Sequence, residues 1–215
     1  MTKTKIIDII SWILIIITIG SAFYFYNVLP EQVITHWNFA GEADGYSNKS
    51  VSAIMIPLIM ILMYFLFQWL PKIDPKRKNY KDFKSTYKIF QLVIIAFFAI
   101  IYFIINLINL GFDMSVTKLV TFLVGLMFVI FGLILKDVKQ NWFIGIRTPW
   151  TLSSKTVWEK THQFGAKVFM TAGLLFLISG FVTEGLAIAM FVVILALVLS
   201  IIFYSYLIYK KQPKS

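Results

Sequence analysis

Six stretches of this chain are built almost entirely of Ile, Leu, Phe, Val, Met and Ala, at residues 6–29, 51–70, 87–110, 117–135, 164–182 and 186–209. A helix needs about 20 apolar residues to cross a hydrocarbon core, because each residue rises only about 1.5 Å and lipid offers no partner for an unpaired backbone group. Each run has that length and few interior charges. The sequence therefore predicts an all-α integral membrane protein with six transmembrane helices. The first run is longer than the apolar segment of a typical signal peptide, and residues 21–30, SAFYFYNVLP, offer no small-x-small cleavage site, so it is read as retained.

Charge supplies the topology. The chain carries twenty Lys and Arg against ten Asp and Glu, a formal net charge of +10. Nucleic-acid binding would need these cations clustered on one solvated face, whereas here they are scattered through short connections, so no direct nucleic-acid partner is expected. Short basic loops resist translocation. With the N-terminus inside, every Lys and Arg except Lys49 and Lys118 falls on the inner side: at the N-terminus, in the second and fourth connections, and in the tail that holds Lys210, Lys211 and Lys214. Both termini are thus expected in the cytoplasm of a cell-membrane protein. Residues 1–70 form a first helical hairpin with an extracellular hook at 30–50, and residues 71–215 hold four more helices with a cytoplasmic loop at 136–163. Trp69, Tyr87, Trp142, Tyr204 and Tyr206 fit an inner aromatic belt, and Tyr24 and Tyr26 an outer one.

The spans themselves are chemically plain. Ion-coupled carriers need ionisable groups at depth. Here Asp8, Lys88, Lys118 and Lys167 all lie near helix ends, where a carboxylate stays hydrated or a lysine stem snorkels to water. Gln91, Asn106, Asn109, Thr171 and Ser179 are expected to hydrogen-bond between helices. Gly125 and Gly132 share a face of the fourth span, as do Gly173 and Gly180 in the fifth, which predicts close packing of those two helices. Pro57 is placed in the first turns of the second span, where its missing N–H costs little.

Two polar segments carry the remaining information. In the hook, Pro30 ends the first helix, and VITHWNF then alternates, with Val33, Thr35, Trp37 and Phe39 on one side and Ile34, His36 and Asn38 on the other. Gly41, Asp44 and Gly45 are expected to make turns. The hook reads either as a cap on the helix ends or as an exterior contact surface for a peptide or lipid headgroup. In the fourth connection, Gly145 allows a tight bend, Arg147 is a two-pronged donor suited to carboxylate or phosphate, and Thr148-Pro149 favours extended chain before Trp150. A helix must then start, with Thr156 and Glu159 as a capping box or Ser153 or Ser154 as the N-cap, and with Trp158 and His162 adjacent on one face. Arg147 is expected close to them. It and the tryptophans could instead anchor the loop at the interface, and His162 reads more simply as a hydrogen-bonding loop partner than as a catalyst.

The chain has no cysteine, which excludes disulfides, a thiolate nucleophile and Cys-ligated metals. His36 and His162 are predicted on opposite sides of the membrane, so they do not share an ion, and no cofactor or metal is expected. No carboxylate pair, serine elbow or phosphate-cradling glycine motif accompanies them, so enzymatic activity is not expected either.

NWFIGIRTPWTLSSKTVWEKTHQFGAK, residues 141–167, resembles the signature of the SdpI-type immunity proteins, in which an N-x-x-x-G-[IL]-R-T-P-W-T-L run precedes a spaced tryptophan and a membrane helix. The hook resembles the small domain of unknown function that often precedes that signature, through Pro30, Ile34, His36, Asn38, Gly41, Asp44, Gly45 and Lys49, and departs from it at Ala43, where many relatives carry proline. On this resemblance residues 71–215 are the SdpI-like region. It implies a membrane immunity protein that confers resistance to a secreted antimicrobial, cannibalism-type peptide toxin. In the best known kind of member it also implies a toxin receptor that holds a small transcriptional repressor at the membrane. Carried over by position, the tentative binding residues are His36, Trp37, Asn38, Gly41 and Asp44 in the hook, and Asn141, Gly145, Arg147, Thr148, Pro149, Trp150, Trp158 and His162 in the inner loop. Two other classes stand beside this one: a transporter or flippase-like conduit for a hydrophobic peptide or lipid, and, behind it, an enzyme using Arg147 and His162 on a lipid phosphate.

Overall fold

A computed structural model describes residues 2–213; Lys214, counted above in the basic tail, lies outside the described residues. Seven α-helices and one two-stranded hairpin follow in the order α1 (Lys3–Val28), β1 (Gln32–Trp37), β2 (Ala43–Asn48), α2 (Lys49–Ile73), α3 (Lys84–Asn109), α4 (Val116–Leu135), α5 (Pro149–Ser153), α6 (Lys155–Ser179) and α7 (Glu184–Lys210), with a 3-10 turn at Arg77–Lys81. Five of them, α1, α2, α3, α4 and α7, are long and apolar enough to cross a membrane, so the chain is a multi-pass membrane protein. The helix covering the fifth predicted span, α6, is 25 residues long, but Lys155, Glu159, Lys160, His162, Gln163 and Lys167 fill its first half. Its apolar part starts only at Phe164.

The helices form two compact units, one from the chain up to Gln68 with Lys88–Val120, the other from Trp69–Tyr87 with the chain from Thr121 onward. In the first, Ile15, Met60, Tyr64, Ile95 and Ala99 make a buried cluster joining α1, α2 and α3. A second cluster of Phe25, Leu29, Val33 and Tyr102 brings the hairpin into the same core. Helix α2 begins at Lys49, so Pro57 lies two turns inside it rather than in its opening turn. Proline cannot donate to the carbonyl four residues back. That carbonyl, of Ala53, accepts instead from the Tyr102 hydroxyl of α3 at 3.2 Å, so the lost ladder bond is replaced by a contact between helices. Asn106 extends the same seam, accepting from Ser52 Oγ at 3.1 Å.

In the second unit α4 and α6 meet at glycines, as the spacing predicted. A methyl at Gly125 would lie 2.8 Å from the Gly173 carbonyl oxygen, and one at Gly173 would lie 2.7 Å from the Gly125 carbonyl oxygen and from the Val129 amide. One turn pair along, a methyl at Gly132 would approach Met170 N to 2.8 Å. Close backbone approach is the main source of helix attraction where lipid is as apolar as the side chains, and the stacked Phe128 and Phe169 rings, 5.0 Å apart, close the gap beside it. Gly180, expected on the same face, falls just past the end of α6 as its C-cap. Of the polar span residues, Thr171 is exposed and Ser179 donates to Phe176 O of its own helix, so neither bridges helices among the described residues as predicted.

Gly173→Leu is expected to lower the melting temperature of the purified protein in detergent, by overpacking worth about 1–3 kcal/mol, whereas Gly20→Ala in α1, with no atom within 4 Å of the added methyl, leaves it unchanged or raises it. Equal melting of the Gly173 variant and the parent would refute the close α4–α6 contact.

Candidate functional site

The loop between α4 and α6 is irregular chain packed under helices, and its backbone groups find partners in a few short polar side chains. Asn141 is fully buried. Its Oδ1 accepts from the amides of Phe143 and Ile144, both at 2.8 Å, while its Nδ2 donates to the carbonyls of Lys139 and Ile144. Asp74, from the end of the α2 segment, is buried beside it. The Trp142 amide and the Tyr80 hydroxyl both donate to Asp74 Oδ2 at 2.9 Å, and the Lys76 amide donates to Oδ1 at 2.6 Å. Burial, and then its bond to the Asp74 carboxylate, push the Tyr80 phenol well above its usual pKa. Gln140 links the two segments: it accepts from Lys76 Nζ and donates to the carbonyls of Thr151 and Leu152 at 2.7 and 2.9 Å.

The rest of the loop is fixed by helix caps. Thr148 caps the one-turn helix α5 in a capping box with Thr151, with Pro149 in its first turn. Its hydroxyl also lies 3.1 Å from Ser205 Oγ, and Trp150 packs on Tyr206, so the loop is held to α7. Ser154, one of the alternatives in the sequence, is the N-cap of α6; the Thr156–Glu159 box does not form because the helix has already begun.

His162 lies just before the apolar part of α6 and is 1% exposed. Its Nδ1 donates to the Trp158 carbonyl at 2.8 Å and its Nε2 accepts from the Ile146 amide at 3.1 Å, so the neutral Nδ1–H tautomer is fixed. Burial pushes its pKa down to about 4 against an ordinary 6.5. The ring stacks on Trp158 at 4.0 Å, and Trp158 Nε1 donates to Val138 O. Gly145 has φ +100°, and a methyl there would sit 2.5 Å from His162 Nε2, so glycine is required twice over. Arg147 does not join this pair. It is exposed, and its guanidinium donates to the Trp142 carbonyl at 2.8 Å. With both ring nitrogens of His162 committed to backbone, the Arg147–His162 phosphate chemistry considered from sequence has no free base.

The hook is an antiparallel hairpin with Val33 opposite Ser47, His36 opposite Gly45 and Trp37 opposite Ala43. Val33 is buried at 1%, as the alternation predicted, but the strand ends at Trp37, so Phe39 leaves the apolar side and is 68% exposed. Asp44 and Gly45 lie in β2, not in a turn; the reversal runs through Asn38 and Glu42, with Gly41 at φ +83°. Asn109 at the end of α3 clamps the hairpin, accepting from Ile34 N at 2.7 Å and donating to Ile34 O at 2.9 Å. His36 is exposed and its Nδ1 meets Asp44 Oδ1 at 2.5 Å. The hairpin thus caps the first unit and presents His36, Phe39 and Asp44 to the outside of the fold.

Residues 137–205 match the SdpI/YfhL protein family, and residues 13–61 match a domain of unknown function, DUF1648. The chain is also 31% identical over 207 residues to "Immunity protein SdpI" of Bacillus subtilis (strain 168), covering 95% of this chain and 96% of the relative. The chain belongs to the SdpI/YfhL protein family. No solved structure matches it.

Within the matched signature, Asn141, Thr148, Trp158 and His162 are buried and shape the loop, whereas Trp142, Arg147 and Pro149 are exposed. The first unit adds a buried polar cluster around Lys88 that the sequence did not group. Lys88, expected to snorkel, is 7% exposed. Its ammonium donates to Asp8 Oδ1 at 2.7 Å, Gln68 Oε1 at 3.0 Å and Gln91 Oε1 at 3.1 Å. All three of its protons are used, so water is not needed to solvate the charge. Gln91 Nε2, fully buried, has no partner among the described residues. Asp8, Gln68, Lys88 and Gln91 come from three helices, so only their helix ends, not their association, could be read from spacing.

Two measurements follow from these sites. Between the ordinary pKa of 6.5 and about 4, the unfolded chain binds a proton at residue 162 that the folded chain does not, so folded stability declines as pH falls through that window. The melting temperature is expected to drop from pH 7 to pH 5, and to drop less in His162→Gln; identical slopes would exclude His162 as the source. Lys88→Met alone leaves Asp8 unpaired and is expected to cost about 3 kcal/mol, with Asp8→Asn added to it restoring much of the loss. Strict additivity in that double-mutant cycle would show that the pair is not coupled.

Proposed function

We propose that this chain is a membrane immunity protein that protects the cell carrying it from a secreted antimicrobial peptide toxin. The observation that carries the reading is the end-to-end likeness to a Bacillus subtilis immunity protein, which takes in the hairpin, the signature loop and the helices between them. On this reading six helices cross the cell membrane, with α6 as the fifth crossing. Both termini and the Arg147 loop face the cytoplasm and the hairpin faces outward, in keeping with the distribution of Lys and Arg.

The two faces then have separate tasks. His36, Trp37, Asn38, Gly41 and Asp44 form the outer surface that meets the toxin, with Asn109 transmitting its position to α3. Inside, Trp142, Arg147 and Pro149 of the signature are exposed, and Arg147 with Trp142 beside it would hold a small cytoplasmic repressor when toxin is present. Asn141, Gly145, Thr148 and His162 serve by keeping Arg147 in place. The conduit alternative gains nothing from Lys88, whose charge is closed by Asp8 rather than directed into an open path.

Cells expressing the chain are expected to survive the peptide toxin secreted by the strain that encodes it, at doses that kill the same host without it. Equal killing, with the protein demonstrated in the membrane, would overturn the reading. Arg147→Ala is expected to accumulate and melt like the parent, because the side chain is exposed, while losing retention of a repressor at the membrane.

A further inference from the structure

A cleft of about 450 Å³ opens in the second unit where the end of α4, the middle of α6 and Tyr204 of α7 come together. Lys136, Lys160 and Lys167 line it. Lys160 and Lys167 are seven residues apart on one face of α6, about 10 Å along its axis, and Lys136 follows the last residue of α4. All three are exposed, and none forms an ion pair with a carboxylate among the described residues. The two acids adjacent in sequence, Asp137 and Glu159, do not line the cleft, and Glu159 faces Lys155 at 3.9 Å. Three like charges gathered without a counter-charge repel one another, and an anion held between them reverses that cost.

The other wall says which anion. Gly132 and Met170 lie on the side of the lysines toward the apolar middle of α4 and α6, and Leu133 beside them is 54% exposed. Phe164 and Tyr204, stacked at 4.4 Å, form the flank. The cleft is therefore cationic toward the helix ends and apolar toward their middle, a polarity that a free phosphate does not use and a phospholipid does. Basic pockets between membrane helices recognise lipid headgroups in this way. We propose that the cleft is a binding site for one anionic phospholipid, its phosphate among Lys136, Lys160 and Lys167 and an acyl chain along Gly132 and Met170. The site is independent of the immunity reading.

The test uses the full-length purified protein in detergent, titrated with phosphatidylglycerol, phosphatidylcholine or inorganic phosphate, with the melting temperature and the bound lipid in native mass spectra as readouts. Phosphatidylglycerol is expected to bind at a stoichiometry of one and to raise the melting temperature by several degrees, with little effect from phosphatidylcholine or phosphate. Replacing Lys136, Lys160 and Lys167 together by Gln is expected to weaken that binding at least fivefold. The same replacement at Lys78, Lys81 and Lys210, all exposed and outside the cleft, removes equal charge and is expected to leave it unchanged. Equal weakening in both triple variants, or equal binding of phosphatidylcholine, would overturn the site. An equal shift with inorganic phosphate would show a simple anion site and overturn the lipid assignment.

Discussion

A polar group that leaves water in this protein is costly unless another meets it, because apolar helices and lipid offer it nothing, and of the buried side chains only a few, Gln91 Nε2 among them, lack a partner among the described residues. That rule organises both units. Asn141 replaces the water that two amides and two carbonyls of a folded-in loop would otherwise need. Asp74 does the same for the amides of Trp142 and Lys76. Tyr102 supplies the proton that Pro57 lacks. Where the rule is met by short, rigid side chains, the backbone they serve is fixed as firmly as in a helix.

The signature loop is accordingly a scaffold more than a contact surface. Its glycine lets His162 approach the chain, His162 accepts from the following amide, and Thr148 begins a short helix that ties the loop to α7. Exposed after this bonding are Trp142, Pro149 and Arg147, whose guanidinium donates to the Trp142 carbonyl, with charged Lys136, Asp137 and Lys139 before them. Much of a residue pattern that looks like a binding motif in one dimension is, in three, engaged in holding the loop's own backbone.

The hairpin follows the same logic from the other end of the chain. A two-stranded ribbon is marginal in water by itself. Here the inward Val33 shares a core with Phe25, Leu29 and Tyr102, and Asn109 bonds both backbone groups of Ile34. The hairpin is thereby tied through its backbone to the end of α3.

By itself the sequence determined the helices, since apolar runs of membrane length have no other stable form, and it determined the α4–α6 contact, since glycines seven apart on two helices mark surfaces where backbones meet. It also located both polar segments, because Pro30, Gly145 and Thr148-Pro149 act through local geometry. Only the tertiary structure decided which polar groups meet. The Asp8–Lys88 pair joins residues 80 positions apart, and Asp74 reaches Trp142 across 68. Periodicity reports the face a residue occupies and carries no information about what a different helix places opposite it; that depends on how the helices pack.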